Sequence, residues 1–465
     1  MDLKRRSVLM AGGGAVAGAF LGLQRLWTAE LPGSTAAMAT GFGDLRTDPG
    51  GILDLPSGFS YRVIARAGSE MSDGLLVPGM ADGMAAFANP GGGVRLVCNH
   101  ELDPDRARLG GGPFGARHAR FGAHHRQRAY DPGGDEPSCG STTTLIYDPQ
   151  TGRVARQWLS LTGTERNCAG GPTPWGAWLS CEESLSGIDN LHAREHGYVF
   201  EVPASADGLV PALALKSMGR FNHEAAAVDP RTGVVYLSED RPDSLLYRYL
   251  PDQPGRLAAG GRLQALALRD WNAADTRNWT PDAPRMEPGK TFTTRWIDLD
   301  DVASADDSLR QRGHASGAAL FARGEGLWWG NGTLYFACTS GGARQAGQVF
   351  RYVPGADEGG ADEAAAPGGL DLFVESRDPQ QMAHCDNLTV TPWGDLLLCE
   401  DTDRHCGLVG VRPDGRLYRF ADNPYNASEL AGACFAPDGR TLFVNQQASG
   451  LTLAIRGPFP PALPV

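Results

Sequence analysis

The sequence predicts an all-β fold, a six-bladed β-propeller with loop or helical insertions between some of its blades. Three observations predict it: a sixfold internal repeat, turn-forming residues spread along the whole chain, and acidic residues that recur at one place in successive repeats.

The repeat is a glycine turn followed by an apolar run that ends six positions later. Its copies are Gly93 to Asn99, Gly176 to Glu182, Gly233 to Glu239, Gly332 to Cys338, Gly394 to Glu400 and Gly439 to Asn445. The third residue after each glycine is large (Leu96, Leu179, Tyr236, Tyr335, Leu397, Leu442) and the fifth is small or moderate (Cys98, Cys181, Ser238, Ala337, Cys399, Val444). That alternation puts both on one face of a strand. Apolar residues between them suit a sheet covered on both faces, as a blade is, and a ring of sheets leaves few exposed edges. An outer strand also recurs at Val199 to Val202, Leu246 to Tyr249, Val349 to Tyr352 and Leu417 to Phe420.

A chain of 465 residues with 62 glycines and 32 prolines is admissible as one such domain. Copies lie between 45 residues (Gly394 to Gly439) and 99 residues (Gly233 to Gly332) apart, so insertions are expected near 102–137, 252–313 and 355–369. His118, His124 and His125, in the first insertion among many arginines, read as a solvated loop.

Residues 1–39 read as an export signal. Lys4, Arg5 and Arg6 precede an apolar stretch from Ala11 to Leu23, and Ala37-Met38-Ala39 offers a cleavage site. Arg5-Arg6 followed by Ser7-Val8-Leu9 has the twin-arginine pattern, which implies export through the twin-arginine machinery to the periplasm or beyond. No later stretch is apolar for long enough to span a bilayer. A net charge of −12 gives no general steering toward nucleic acid. The nine cysteines are an odd number, so at least one is unpaired in a monomer, the expected state.

Upstream of each turn a shorter strand would line the central channel. Six residues before the prolines of Thr173-Pro174-Trp175-Gly176, Asp229-Pro230 and Thr391-Pro392-Trp393-Gly394 stand Cys168, Glu224 and Asp386, and Glu325 falls at about the same place before Trp329-Gly330-Asn331-Gly332. The first blade has Asp82 nearby, and the last has only Ala431. A second layer comes from the ends of the next strands, at Asn99, Glu182, Glu239 and Glu400, enriched by His100, Glu101, Glu183, Asp240, Asn387 and Asp401. Carboxylates crowded into one channel repel unless cations sit among them. Oxygen ligands in such number favour Ca²⁺ or Mg²⁺, Ca²⁺ before Mg²⁺, whereas a Cys168 thiolate suits a transition metal such as iron or zinc. Cys98, Cys181 and Cys399, on the alternate face, read as small core residues. Arg323, two before Glu325, would place a guanidinium beside the cluster, where it fits a phosphate oxygen.

The stretches NHE (99–101), NCAGGPTPWGAWLSCEES (167–184), GRFNHEAAAVDP (219–230), LSEDR (237–241), ARGEG (322–326) and DNLTVTPWGDLLLCED (386–401) resemble the PhoX family of alkaline phosphatases, and the resemblance extends over most of the chain after residue 39. It implies a channel holding a mixed iron (Fe³⁺) and calcium cluster around a bridging oxide that hydrolyses phosphate monoesters. Carried over by motif, Cys168 would ligate iron, Glu183, Glu224 and Glu325 would be metal ligands with Glu101, Glu182, Glu239, Asp386 and Glu400 as further ones, and Arg323, with Asn99, would hold the phosphate. The chain looks shorter than characterised members, which implies trimmed segments around the substrate. Two other readings remain open on the residues: a calcium-dependent lactonase or esterase, since propellers with a channel metal also host that chemistry, and a non-catalytic propeller that binds a partner on one face.

Overall fold

Every glycine-led run folds as the second strand of a sheet: Val94–His100, Ala177–Glu182, Val235–Glu239, Thr333–Cys338, Leu396–Glu400 and Leu442–Gln446. The computed structural model describes residues 39–133 and 136–463. The expected signal, up to Met38, lies outside the described residues.

Each second strand pairs antiparallel with a shorter strand before it: Ala81–Ala88, Asn167–Pro172, His223–Val228, Gly324–Gly330, Cys385–Val390 and Leu430–Phe435. These six inner strands, among the described residues, pack side by side in chain order, and the last packs against the first. The fold is an all-β propeller. Its closure uses chain from both ends: Ser60–Arg66 pairs with Leu451–Arg456 as the outermost strand of the last sheet, from Ser60 opposite Arg456 to Arg66 opposite Leu451. That pairing removes the edge an open ring would expose.

The stretches expected as insertions behave differently from one another. Residues 102–137 leave the first sheet between Val94–His100 and Gly140–Asp148 and carry only short helical turns. The stretch 252–313 is not all insertion. It contributes Gly261–Leu268 as an outer strand and Thr291–Asp298 as a fifth, and the latter also pairs with Gly369–Glu375, fusing two sheets at their rims. In 355–369, Glu358 and Glu363 fold back onto the buried Arg248 guanidinium. The recurrent outer strand is third in its sheet at Val199–Pro203, Tyr247–Pro251 and Gln348–Val353, but fourth at Leu417–Asn423.

In all six sheets the pairing of the inner with the second strand shifts at one place, leaving two inner residues opposite one. The displaced pairs are Asp82-Gly83, Cys168-Ala169, Glu224-Ala225, Glu325-Gly326, Asp386-Asn387 and Gly432-Ala433. A bulge bends its strand and re-aims a side chain. Five of the six put a ligand-type residue there, followed mostly by a small one. The small residue is required because inner strands meet backbone to backbone: a Cβ on Gly83 would stand 2.6 Å from Ala169 Cα, and one on Gly326 would stand 2.6 Å from the Asp386 carbonyl oxygen.

Side chains from second strands lock this arrangement by reaching across to the neighbouring inner strand. Asn99 donates to the Cys168 and Ala169 carbonyls at 3.1 and 2.7 Å, Ser238 to that of Glu325 at 2.6 Å, Thr339 to that of Cys385 at 2.9 Å and Asn445 to that of Asp82 at 2.6 Å. All nine cysteines are buried and unpaired; Cys98, Cys181 and Cys399 are core residues, as read from the sequence.

Gly432 tests the closeness of the ring. Its φ is +63° and a Cβ there would lie 2.2 Å from the Asp82 carbonyl oxygen, whereas at Gly176, φ +82°, a Cβ meets nothing within 4 Å. Gly176→Ala should cost about 1–2 kcal/mol from backbone strain alone. Gly432→Ala, with overpacking added, should cost about 2–5 kcal/mol. Denaturant or thermal unfolding of the two variants checks this, and equal losses would contradict the close approach.

Candidate metal centre

The six bulges face one axis, and the structure strings ligand-type side chains along it in overlapping triads. Asp82, Glu101 and Cys168 form one; Cys168, Glu183 and Glu224 the next; then Glu224, Glu325 and Asp386; and last Asp386, Asp401 and Glu429. Within each triad one ligand atom per residue lies within 4.8 Å of the others. The Asp82 to Glu325 side is buried, whereas Asp386, Asp401 and Glu429 are half-buried. The ring of ligands is therefore more exposed on the side of Asp386, Asp401 and Glu429.

A sixfold backbone hydrogen bond explains the second layer. Just past each second strand an N–H donates to a carbonyl just ahead of the inner strand: Glu101 to Met80, Glu183 to Arg166, Asp240 to Asn222, Thr339 to Arg323, Asp401 to His384 and Gln447 to Glu429, at 2.8 to 3.2 Å. It ties the residue beyond each strand end to the mouth of the channel.

The geometry leaves several of the expected ligands outside the axial triads. Glu182, Glu239 and Glu400 end their strands one residue earlier and belong to no axial triad. Glu182 accepts from the Glu165, Gly197 and Tyr198 N–H groups at 3.0, 2.9 and 3.1 Å and faces His196 Nδ1 at 2.7 Å. Glu239 accepts from Tyr247 Oη at 2.7 Å. Glu400 accepts from the Ala383 and Gly407 N–H groups at 2.9 and 3.1 Å and pairs with Arg419. Alternation along a strand turns the last residue away from the axis that the next one meets. Asn99 is also displaced from its expected substrate role. It is fully buried, its amide donates to two carbonyls, and its Oδ1 accepts from Trp178 Nε1 and Ser180 Oγ, both at 2.8 Å. The last sheet has Gly432 and Ala433 at its bulge, and Glu429, ahead of the strand, supplies its carboxylate instead.

Three guanidiniums lie among these acids; Arg106 reaches Glu101 at 3.3 Å from the side, and the other two stand ahead of inner strands. Arg323 donates through Nε and Nη2 to Asp240 at 2.8 and 2.9 Å, and through Nη2 to Glu325 at 2.8 Å. Its Nη1 has no hydrogen bond among the described residues, and 35% of its side chain is exposed. Arg166 donates to Glu101 at 2.9 Å and pairs with Glu183. Sequence reasoning passed over Arg166 and Glu429, although Arg166 stands two before Cys168 as Arg323 stands two before Glu325.

Electrostatics make the cluster incomplete as protein alone. Burial, then repulsion from neighbouring carboxylates, pushes Glu224, Glu325 and Asp386 far above the usual carboxylate range; burial also raises Glu183 against the pull of Arg166, and raises the Cys168 thiol. Asp82 is pushed up to about 7 by burial and by Glu101. Two like charges about 4.5 Å apart repel by about 4 kcal/mol at an effective dielectric near 20. Both oxygens of Glu224, and Oδ1 of Asp82, are buried without a hydrogen-bond partner. A buried carboxylate with no donor is costly, and a bound cation supplies what it lacks. The donor set, many oxygens and one sulfur, fits hard cations with a softer one at Cys168.

Comparison with known proteins agrees with the architecture. The structure of Pseudomonas fluorescens PhoX in complex with vanadate, a transition state analogue, superposes with a TM-score of 0.64 at 19% identity, over 88% of this chain and 96% of that one. A gluconolactonase from Xanthomonas campestris gives a TM-score of 0.41 at 14% identity, covering 90% of this chain and 100% of the other. Regucalcin, a calcium-binding protein from Agrobacterium tumefaciens, gives 0.39 at 10%, covering 87% and 98%. No curated protein matches the sequence. Residues 40–450 match the family model for alkaline phosphatase PhoX, and the chain belongs to that family.

Proposed function

We propose that this protein hydrolyses phosphate monoesters at the axial cluster, with calcium and iron as its metals. The observation that carries the reading is Glu224: a buried carboxylate with both oxygens unpartnered, shared by two ligand triads, in the same cluster as the Glu325 carboxylate that receives the Arg323 guanidinium. Cys168, with Glu183 and Glu224, would hold iron, since a thiolate favours a transition metal. Glu325, Asp386, Asp401 and Glu429, all oxygen donors, would hold calcium, which tolerates irregular ligand sets. When bound, these cations supply charge neutralisation for the phosphate and Lewis-acid activation of water.

The chain's own residues bind and orient. Asp240 and Glu325 hold the Arg323 guanidinium by its Nε and Nη2 edges, which leaves Nη1 to donate to a phosphate oxygen. Arg166, clamped between Glu101 and Glu183, keeps those carboxylates in place. The half-buried Asp386 side is the entrance for the ester. The Arg5-Arg6 pattern supports export by the twin-arginine route to the periplasm or beyond, and among the described residues no helix is long and apolar enough to cross a membrane.

The direct test is one preparation assayed for bound iron and calcium and for hydrolysis of an aryl phosphate and of a lactone, before and after chelation. Phosphate ester cleavage that is lost on chelation and returns with calcium and iron is expected. Lactone cleavage alone would favour the lactonase reading, and stoichiometric absence of both metals would favour a binding module.

Arg323→Ala should lower kcat by about 10²–10³-fold while iron and calcium content stay at the wild-type level. Arg323→Lys, a point charge without the fork, should recover only part of that loss. Unchanged turnover in Arg323→Ala removes the assignment.

Chelated protein should show an inverted pH dependence of stability. Carboxyls whose folded pKa is raised bind more protons folded than unfolded, so their contribution is greatest below the unfolded value near 4 and falls as pH rises through the folded one, about 7 for Asp82, with its neighbours raised in the same direction. The thermal midpoint of metal-free protein should therefore fall between about pH 4 and pH 8. Calcium and iron should abolish that fall.

A further inference from the structure

Behind the channel wall lies a second group of buried ligand-type side chains that the proposed reaction leaves unused. Glu165, His192 and His196 each offer one ligand atom, and the three atoms lie within 4.8 Å of one another. They are 5%, 4% and 0% exposed. Glu165 precedes Arg166, while the two histidines, four apart in His192-Ala-Arg-Glu-His196, lie on the segment joining Ala177–Glu182 to Val199–Pro203.

The decisive atom is His192 Nε2. His192 Nδ1 lies 2.9 Å from Asp189 Oδ1, and a carboxylate can only accept, so Nδ1 carries a proton; in the neutral ring Nε2 then presents a lone pair. That buried nitrogen has no hydrogen-bond partner, yet it faces Glu165 Oε1 at 3.4 Å. Lone pair against carboxylate is repulsive with nothing between them. It is also the spacing of two adjacent ligands on a tetrahedral cation, about 3.3 Å for bonds near 2.0–2.1 Å.

An outer layer of support is already in place. Ser184 Oγ donates to Glu165 Oε2 at 2.8 Å, and His196 lies between Glu182 Oε1 at 2.7 Å and Asp131 Oδ2 at 3.2 Å. Both His196 nitrogens face carboxylates, so an ion here displaces one of them, and the other carboxylate then backs the ring as such groups back a metal ligand. Charge points the same way, because Asp131, Glu165 and Glu182 are all buried here around two imidazoles.

We propose that Glu165, His192 and His196 bind a divalent transition cation of the zinc class, distinct from the axial cluster. Two imidazoles and a carboxylate suit such an ion and not calcium. The ion ties residues 184–197 to Glu165, and so braces the two stretches that carry Cys168 and Glu183. In its absence the competing arrangement is an imidazolium at His196 bridging Glu182 and Asp131.

Full-length mature protein loaded with calcium and iron is equilibrated with Zn²⁺ and passed through a desalting column. Wild type should retain one zinc equivalent more than His192→Ala and than Glu165→Gln, and its thermal midpoint should rise with zinc where theirs does not. Equal zinc content in all three overturns the proposal. Should both variants fail to fold, anomalous diffraction at the zinc edge from wild-type crystals decides: a peak among Glu165, His192 and His196 supports the site, and zinc on the channel axis alone, or nowhere, refutes it.

Discussion

Like charges held together in a dry space are the constraint on which this molecule turns. Five of six bulges aim an acid or a thiol at the axis, and the residues beyond the second strands add further carboxylates from above. Protein alone cannot satisfy them, since Glu224 has no donor among the described residues and the rest meet only Arg106, Arg166 and Arg323 as cations there. A fold that pays this much in electrostatic strain is stable with cations in place, and the ring is built to accept it. Asn99, Ser238, Thr339 and Asn445 pin the neighbouring inner strands by their carbonyls, so repulsion among the side chains is resisted at the backbone.

Strand ends divide the work between consecutive residues. In Glu182-Glu183, Glu239-Asp240 and Glu400-Asp401 the first acid accepts hydrogen bonds from backbone, tyrosine or arginine donors, while the second meets the cluster or its arginine. The pairs look redundant in sequence and are not. Loss of the first member would free the loop that positions the second, so both kinds of acid serve the same centre through different contacts.

Much of this was legible in the sequence because it follows from period-two patterning. The glycine-led runs, the inner positions Cys168, Glu224, Glu325 and Asp386, and the core role of Cys98, Cys181 and Cys399 all come from alternation and a fixed offset to a turn. Whether Glu182 or Glu183 faces the axis depends on where pairing stops and on the bulge upstream, which no local pattern encodes. Glu429 was hidden for a related reason: it lies ahead of its strand, in a sheet whose bulge carries Gly432. Arg166 shared the spacing of Arg323, and that signal was present but unread. Asn99 misled because a polar residue at a strand end signals a site and an inter-sheet clamp equally well.

The conformation of the residues ahead of the inner strands links architecture to chemistry. Met80, Arg166, Arg323 and His384 have φ between 47° and 52°, each two before an axial ligand, and each offers its carbonyl to the sixfold hydrogen bond. Left-handed backbone costs a non-glycine residue about 1–2 kcal/mol, so the position is held by the bond and by the bulge that follows. Two of the four are arginines, and the turn delivers their guanidiniums to carboxylates on the neighbouring strand end, Asp240 for Arg323 and Glu183 for Arg166. With Arg106 at Glu101, three fixed cations are too few to cancel the acids and would leave a phosphate dianion repelled. An acidic chain of net charge −12 offers an anionic ester no general attraction of its own, and that is the charge the proposed cations and the proposed role of Arg323 would answer.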